Sequence, residues 1–334
     1  MARRETRRWA AALGLGLLLE SGLAGCGGSS AKPVDDTGIE WNPDAVARLP
    51  GPIAFEAGRQ GNVDIYLFDP ATRATRRLTD DPADDRYPAF APDGRSIYYV
   101  HGPEGSRSIF RVDLASGARE PVIAEGPDPR DPVLTPDGGI LIHTRGAEDQ
   151  SSEILAQALA GGSETVLVGS SQGRSAHAAV TRDGRSVAYT GGDSHGWQVH
   201  VLDLASGQSR RLTDDPSACR PDASPVADLL AFVTVRWDGR GDIAVMGLDG
   251  QNVRRITPTD TVDYYPAWSK DGRFIAFATA PAKDSGPDGS TPWHLALAAA
   301  DGSTVDWLTR SDGYETEPTF EPAPAGALGA APPR

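Results

Sequence analysis

The side chains with the most chemical potential recur at one place in a repeating phrase. An eight-residue pattern reads YPAFAPDG from Tyr87, DPVLTPDG from Asp131, HAAVTRDG from His177, RPDASPVA from Arg220, YPAWSKDG from Tyr265 and EPTFEPAP from Glu317. The leading residues mix phenol, carboxylate, imidazole and guanidinium, and the positions one step earlier add Arg86, Arg130 and Tyr264. Aromatic and Arg side chains anchor many protein interfaces, so a ring of these groups suits capture of a peptide or protein. A plainer reading stands beside it: Arg and carboxylate neighbours pair with one another. Asp222 replaces the Ala, Val or Thr of the other phrases, as a channel-facing functional carboxylate or as a partner for Arg220.

Other patterns support catalysis less well. Asp131, Asp222 and Glu317 could supply the two carboxylates of a glycosidase, which must stand about 5 to 10 Å apart with one pKa raised. Gly169-Ser170-Ser171-Gln172-Gly173 fits the nucleophile-elbow pattern, but a strand-like phrase follows it where a helix is required. The six His show no paired ligand spacing, and no EF-hand-like run is present, so no metal, cofactor or catalytic residue is assigned. His101, His195 and His294, with Trp197, Trp237 and Trp293, fall near loops where they could stack on a sugar or cap the core. Asp80, Asp81, Asp84, Asp85, Asp214, Asp215, Asp260, Asp263, Asp312 and Glu315 make that loop face acidic. Such a field steers a basic partner or collects cations, or consists of solvated turn residues.

These residues are positioned by a repeat near 45 residues. The eighth residues of the phrase stand at 94, 138, 184, 227, 272 and 324, and the last interval is lengthened by the insertion PAKDSGPDGST from Pro281. A second phrase follows (GRSIYYV, GGILIHT, GRSVAYT, ADLLAFV, GRFIAFA), with GPIAFEA from Gly51 as a sixth copy. A third contains DIYLFD or QVHVLD, and a fourth RRLTDD or RRITPT. Each is a short alternating, β-branched or aromatic run between turn residues, which predicts a strand. Four strands per repeat and six repeats predict an all-β fold: a six-bladed β-propeller with four antiparallel strands per blade. The 38 Gly and 27 Pro fit a chain dense in turns. Glu317 opens an inner strand with no outer strands after it, while the phrases from Gly51 to Thr79 have no inner strand before them. The C-terminal inner strand should therefore join the N-terminal outer strands and close the ring.

Ahead of the ring, Arg3, Arg4, Arg7 and Arg8 precede an apolar stretch from Ala10 to Leu19, the layout of an export signal too short to span a bilayer. Leu23-Ala24-Gly25-Cys26 resembles the lipobox of bacterial lipoproteins, which implies cleavage before Cys26 and lipidation of its thiol. Expected boundaries are a signal over residues 1–25, lipidated Cys26 and a flexible tether over 26–50, the propeller over 51–322, and a disordered tail over 323–334. Trp41 is expected to dock on the ring. Several acyl chains on one Cys hold a protein on a membrane durably. The formal charge is −14; loss of residues 1–25 removes four Arg and two Glu and leaves −16. An acidic surface repels phosphate, so nucleic acid is not an expected partner. With Cys26 lipidated, Cys219 has no intramolecular disulfide partner.

The best copies, RRLTDDPADDRYPAFAPDGRSIYYV from Arg76 and RRITPTDTVDYYPAWSKDGRFIAFA from Arg254, resemble the TolB-type propeller repeat. TolB carries an α/β domain before its propeller; here a lipobox is read in that place. The ring of Tyr, Arg and carboxylate and the weak support for catalysis together point to a monomeric, non-enzymatic scaffold that binds an envelope protein or peptide. The chain is expected to be exported and lipid-anchored on the periplasmic or extracellular side, at the outer membrane in a Gram-negative cell. The alternative is an envelope glycan- or peptide-processing enzyme, or a sugar-binding protein, that uses carboxylates and aromatics at the propeller mouth.

Overall fold

The computed structural model describes residues 37–323, apart from 60, 125–127, 147–150, 194–195, 216, 258–259 and 283–291. The expected signal, Cys26, His195 and all but the first residue of the expected tail lie outside the described residues. Six four-stranded antiparallel sheets form, one per repeat. Blade one takes its inner strand, Tyr314–Phe320, from the C-terminal end and its outer strands, Ile53–Arg59, Asn62–Asp69 and Ala74–Arg77, from the N-terminal end. Their register sets Ile53 opposite Phe320 and Gly58 opposite Tyr314, which closes the ring. The inner strands of blades two to six are Asp85–Phe90, Pro129–Leu134, Arg174–Val180, Ala218–Ala223 and Thr261–Trp268.

A twisted sheet with two apolar faces must bury both, and a ring does so against its neighbours. The apolar core divides into six clusters that follow the six blade interfaces. Ala54, Ile65, Ile97 and Tyr99 join blades one and two; Ala231, Ile243, Ile275 and Phe277 join five and six. Where blade six meets blade one, Phe55, Phe68, Ala276 and Leu295 are joined by Ile39, Ala45, Val46 and Leu49 from ahead of the ring. That stretch was expected to be tether around a docking Trp41, and in the fold it packs from residue 39 onward. Trp41 stacks on Phe68 with centroids 3.6 Å apart, and its indole N–H donates to Thr75 at 3.1 Å. Glu40–Trp41 pairs with Thr309–Arg310. A one-turn helix, Pro43–Val46, follows, capped by the Asn42 side chain with Pro at its first position.

The recurring turn and the Arg-Leu-Thr phrase each have a local cause. Asp93, Asp137, Asp183 and Asp271 accept the backbone N–H two residues on, at 2.9–3.1 Å. The Gly between them, Gly94 for example at φ 68°, takes the left-handed conformation that closes the turn. Thr79, Thr213, Thr257 and Thr309 each accept, at 2.9–3.0 Å, the N–H of a third-strand residue that the short fourth strand leaves unpaired. No helix among the described residues is long and apolar enough to cross a membrane.

Candidate functional site

All six residues that lead the repeated phrase share one unusual backbone conformation. Tyr87, Asp131, His177, Arg220, Tyr265 and Glu317 have φ between 48° and 60°. Register shifts mark the same place in every blade, between Arg86 and Ala89 or Tyr264 and Ala267, for instance. Each inner strand thus carries a bulge, which re-aims one side chain toward the axis and interrupts the pairing, which resumes beyond it. A non-Gly residue in this region costs about 1–2 kcal/mol, and five of the six precede Pro, which ordinarily favours extended backbone.

Side chains from the neighbouring blade satisfy the amide groups freed on this innermost edge. Tyr87 N–H donates to Glu56 Oε2 at 3.3 Å, His177 N–H to Asp131 Oδ2 at 3.4 Å, and Arg220 N–H to Thr190 Oγ1 at 2.8 Å. Trp268 N–H donates to Asp222 Oδ2 at 2.7 Å. These four bonds link blades one to two, three to four, four to five and five to six.

The six side chains line the inner end of a cavity of about 410 Å³. Its walls are apolar, with Phe90, Val133, Val180, Trp268 and Phe320 among nine prolines. It extends along the inner strands to the first turns, at Pro92, Pro136, Arg182, Pro225, Lys270 and Pro322. The cavity therefore lies on the turn side of the ring, opposite the loop face that the sequence reading made acidic. Arg86, Arg130 and Tyr264 do not line it. Arg86 bonds Asp84 at 3.0 Å and approaches Glu56 at 3.6 Å, Arg130 is buried, and Tyr264 packs edge-on to Trp293 with centroids 5.8 Å apart.

Charges at the ring are strongly coupled. The Arg220 guanidinium lies 4.1 Å from the Tyr265 ring centre and bonds Glu317 at 3.0 Å, reaching from blade five across blade six to blade one. Burial works against its charge, but Tyr265, Glu317 and Asp131 hold its pKa well above the ordinary value. Burial also opposes ionisation of Asp131; the cationic Arg130 and Arg220 beside it work the other way, and the carboxyl stays below the usual range. His177 is pushed down to about 3 by burial and by Arg220, so its imidazole is neutral. Burial raises Asp222 to about 7, against the amide bonds from Trp268 and Ala223. Asp222 thus bridges to the next blade, while Arg220 takes Glu317 as its partner.

Glu56, which sequence reasoning passed over, is 4 % exposed and accepts from the Thr316 hydroxyl at 2.8 Å as well as from Tyr87. Strand register exposes it: Glu56 stands opposite Thr316 where Val100 of blade two stands opposite Arg86. Among the described His, His143 pairs with Glu164 at 3.0 Å, His200 stacks on Tyr189, and His294 bonds Glu315 at 3.1 Å. The Ser170–Gln172 segment is a single 3-10 turn that runs into the inner strand of blade four. The set can bind an extended or amphiphilic ligand end, with charge at the ring and apolar surface along the wall.

A family model described as the TolB beta propeller domain matches residues 39–179. The solved structure of TolB from Acinetobacter baumannii superposes with a TM-score of 0.69 at 22% identity, covering 82% of this chain and 67% of that one. A candidate TolB from Agrobacterium tumefaciens gives 0.67 at 23% identity, over 81% of this chain and 95% of that one. The Tol-Pal system protein TolB of Francisella tularensis is 27% identical over 94 residues, 27% of this chain and 22% of that protein. The match thus spans about a fifth of that curated relative's length. The repeat and the closed ring make the chain a six-bladed β-propeller, similar in fold to the TolB propeller and matching its family model over residues 39–179.

Proposed function

We propose that the chain is a membrane-anchored envelope lipoprotein, held by lipid on Cys26, whose propeller captures a protein or peptide partner without catalysing a reaction. The observation that carries this reading is the cavity itself: six side chains turned inward by six bulges, at the end of an apolar, proline-lined wall. Fixed backbone at every contact point limits the ordering cost of binding. The ion pair between Arg220 and Glu317 supports binding over hydrolysis, because it removes one of the carboxylates a glycosidase needs in free form. The name of the Francisella relative, a Tol-Pal system protein, supports a protein partner in the envelope.

In-cell crosslinking followed by mass spectrometry tests the reading, with Cys26→Ala as the control for anchoring. The expected result is one envelope partner recovered with the wild type and lost with Tyr87→Ala or Tyr265→Ala. No partner, together with turnover of a glycan or peptide by the purified chain, overturns it in favour of an enzyme.

A further inference from the structure

A second chemical cluster lies away from the cavity, on the loop side of blade two. Pairing of the inner strand with the second strand, Ser96–His101, sets Asp85 opposite His101. The loop that enters the inner strand brings Asp81 to the same spot. His101 Nδ1 stands 2.8 Å from Asp85 Oδ1 and 3.4 Å from Asp81 Oδ1, and one donor atom from each of the three falls within 4.8 Å of the others. A tetrahedral Zn²⁺ with bonds of about 2.0–2.2 Å holds its ligand atoms roughly 3.4 Å apart. His101 and Asp81 already stand at that separation, and His101 and Asp85 must part by about 0.6 Å to reach it.

The surroundings hold these donors in place and leave coordinating capacity unused. Asp85 is 0% exposed, and its second carboxyl oxygen makes no hydrogen bond within normal geometry, Thr79 being the side chain besides His101 that approaches the carboxyl. Asp81 is held from its far side by Arg119, whose Nη1 donates to Oδ2 at 3.3 Å. Asn62 Nδ2 donates to the carbonyls of Asp81 and Ala83 at 3.0 and 3.1 Å, and Ala83 N–H donates to Asp81 Oδ1 at 3.3 Å. Phe110 packs edge-on to the His101 ring, centroids 5.1 Å apart, which sets the imidazole plane. The side chains of Asp81 and His101 are each 31% exposed, so an ion has a path from solvent.

We propose that Asp81, Asp85 and His101 form a binding site for a divalent transition-metal cation, with Zn²⁺ the best match to one imidazole nitrogen and two carboxylate oxygens. Calcium is a poor match, since it takes six to eight oxygens. Three protein donors leave a fourth position for water or for a side chain of a partner.

Calorimetric titration of the full chain with zinc ions tests the site. One zinc per chain is expected, bound at least tenfold more weakly by Asp81→Asn and by His101→Gln. The control His200→Gln, at a ring stacked on Tyr189, should match the wild type. Zinc should also raise the unfolding temperature of the wild type and not that of the two site variants. No uptake by the wild type, or undiminished uptake by both site variants, overturns the proposal. If His101→Gln fails to fold, the half-exposed Asp81→Asn decides alone.

Discussion

Replacing Asp222 by Asn should stabilise the protein above neutral pH. The carboxyl titrates at about 7 in the fold against an ordinary 3.8, because burial beside the inner strands disfavours its charge. At about 1.4 kcal/mol per tenfold, that difference sets an upper limit of about 4 kcal/mol on the cost of the ionised form. Asp222 is half-buried in the wall of an open cavity, so water relieves much of this, and about 1–2 kcal/mol is expected. Asn keeps an oxygen for the Trp268 N–H, now 2.7 Å away. The sign follows from proton linkage. Between pH 3.8 and about 7 the folded chain holds a proton on Asp222 that the unfolded chain has released, so its contribution to stability rises as pH falls through that window. Urea unfolding should show Asp222→Asn more stable than the wild type at pH 8 and by a smaller margin at pH 5, the difference closing only as the pH approaches 3.8. A variant that is less stable at pH 8 would refute the reasoning, because the charged bond to Trp268 would then outweigh the burial penalty.

Three further substitutions probe the ring. Arg73 sits at φ 57° in an exposed turn where Gly117 and Gly207 stand in blades two and four, so Arg73→Gly should add about 1 kcal/mol; an unchanged thermal midpoint would count against it. Thr257→Val removes the acceptor for the Ile243 N–H and should cost about 1–3 kcal/mol in chemical denaturation, with a loss under about 0.5 kcal/mol contradicting a structural role for that phrase. Glu315 is fully buried and takes bonds from Arg59, His294, Thr309 and Ser311 where the ring closes. Glu315→Ala should cost about 3–5 kcal/mol and speed amide exchange in Ile53–Arg59 first; uniform exchange around the ring would show that closure is not the weak point.

Much of the architecture is legible in the sequence because each blade repeats its own strand alternation and its own turn. The pairing of Phe320 with Ile53 follows from counting phrases at the two ends. What stays hidden depends on contacts between blades. Asp222 shows as an odd residue, yet its partner is the Trp268 amide 46 positions away, and no local pattern encodes that distance. Asp85 and His101 appear as a turn acid and a lone imidazole until antiparallel register sets them face to face. The ring residues are legible by position, but their left-handed backbone is not, since five precede Pro and local preference argues for extended chain. Trp41 stands out as the one aromatic of the expected tether over 26–50. The packing of Ala45, Val46 and Leu49 beside it depends on a groove that exists only once blades six and one meet.

Photocrosslinking from the cavity rim tests the central claim most directly. A photoreactive residue at Arg182, which lines the rim, should capture one envelope protein in living cells. The same residue at Val166, exposed on an outer strand, should not. Arg220→Ala should abolish the Arg182 product by breaking the ion pair with Glu317 at the inner end of the cavity. Equal capture from both positions, or a product that survives Arg220→Ala, would contradict the account.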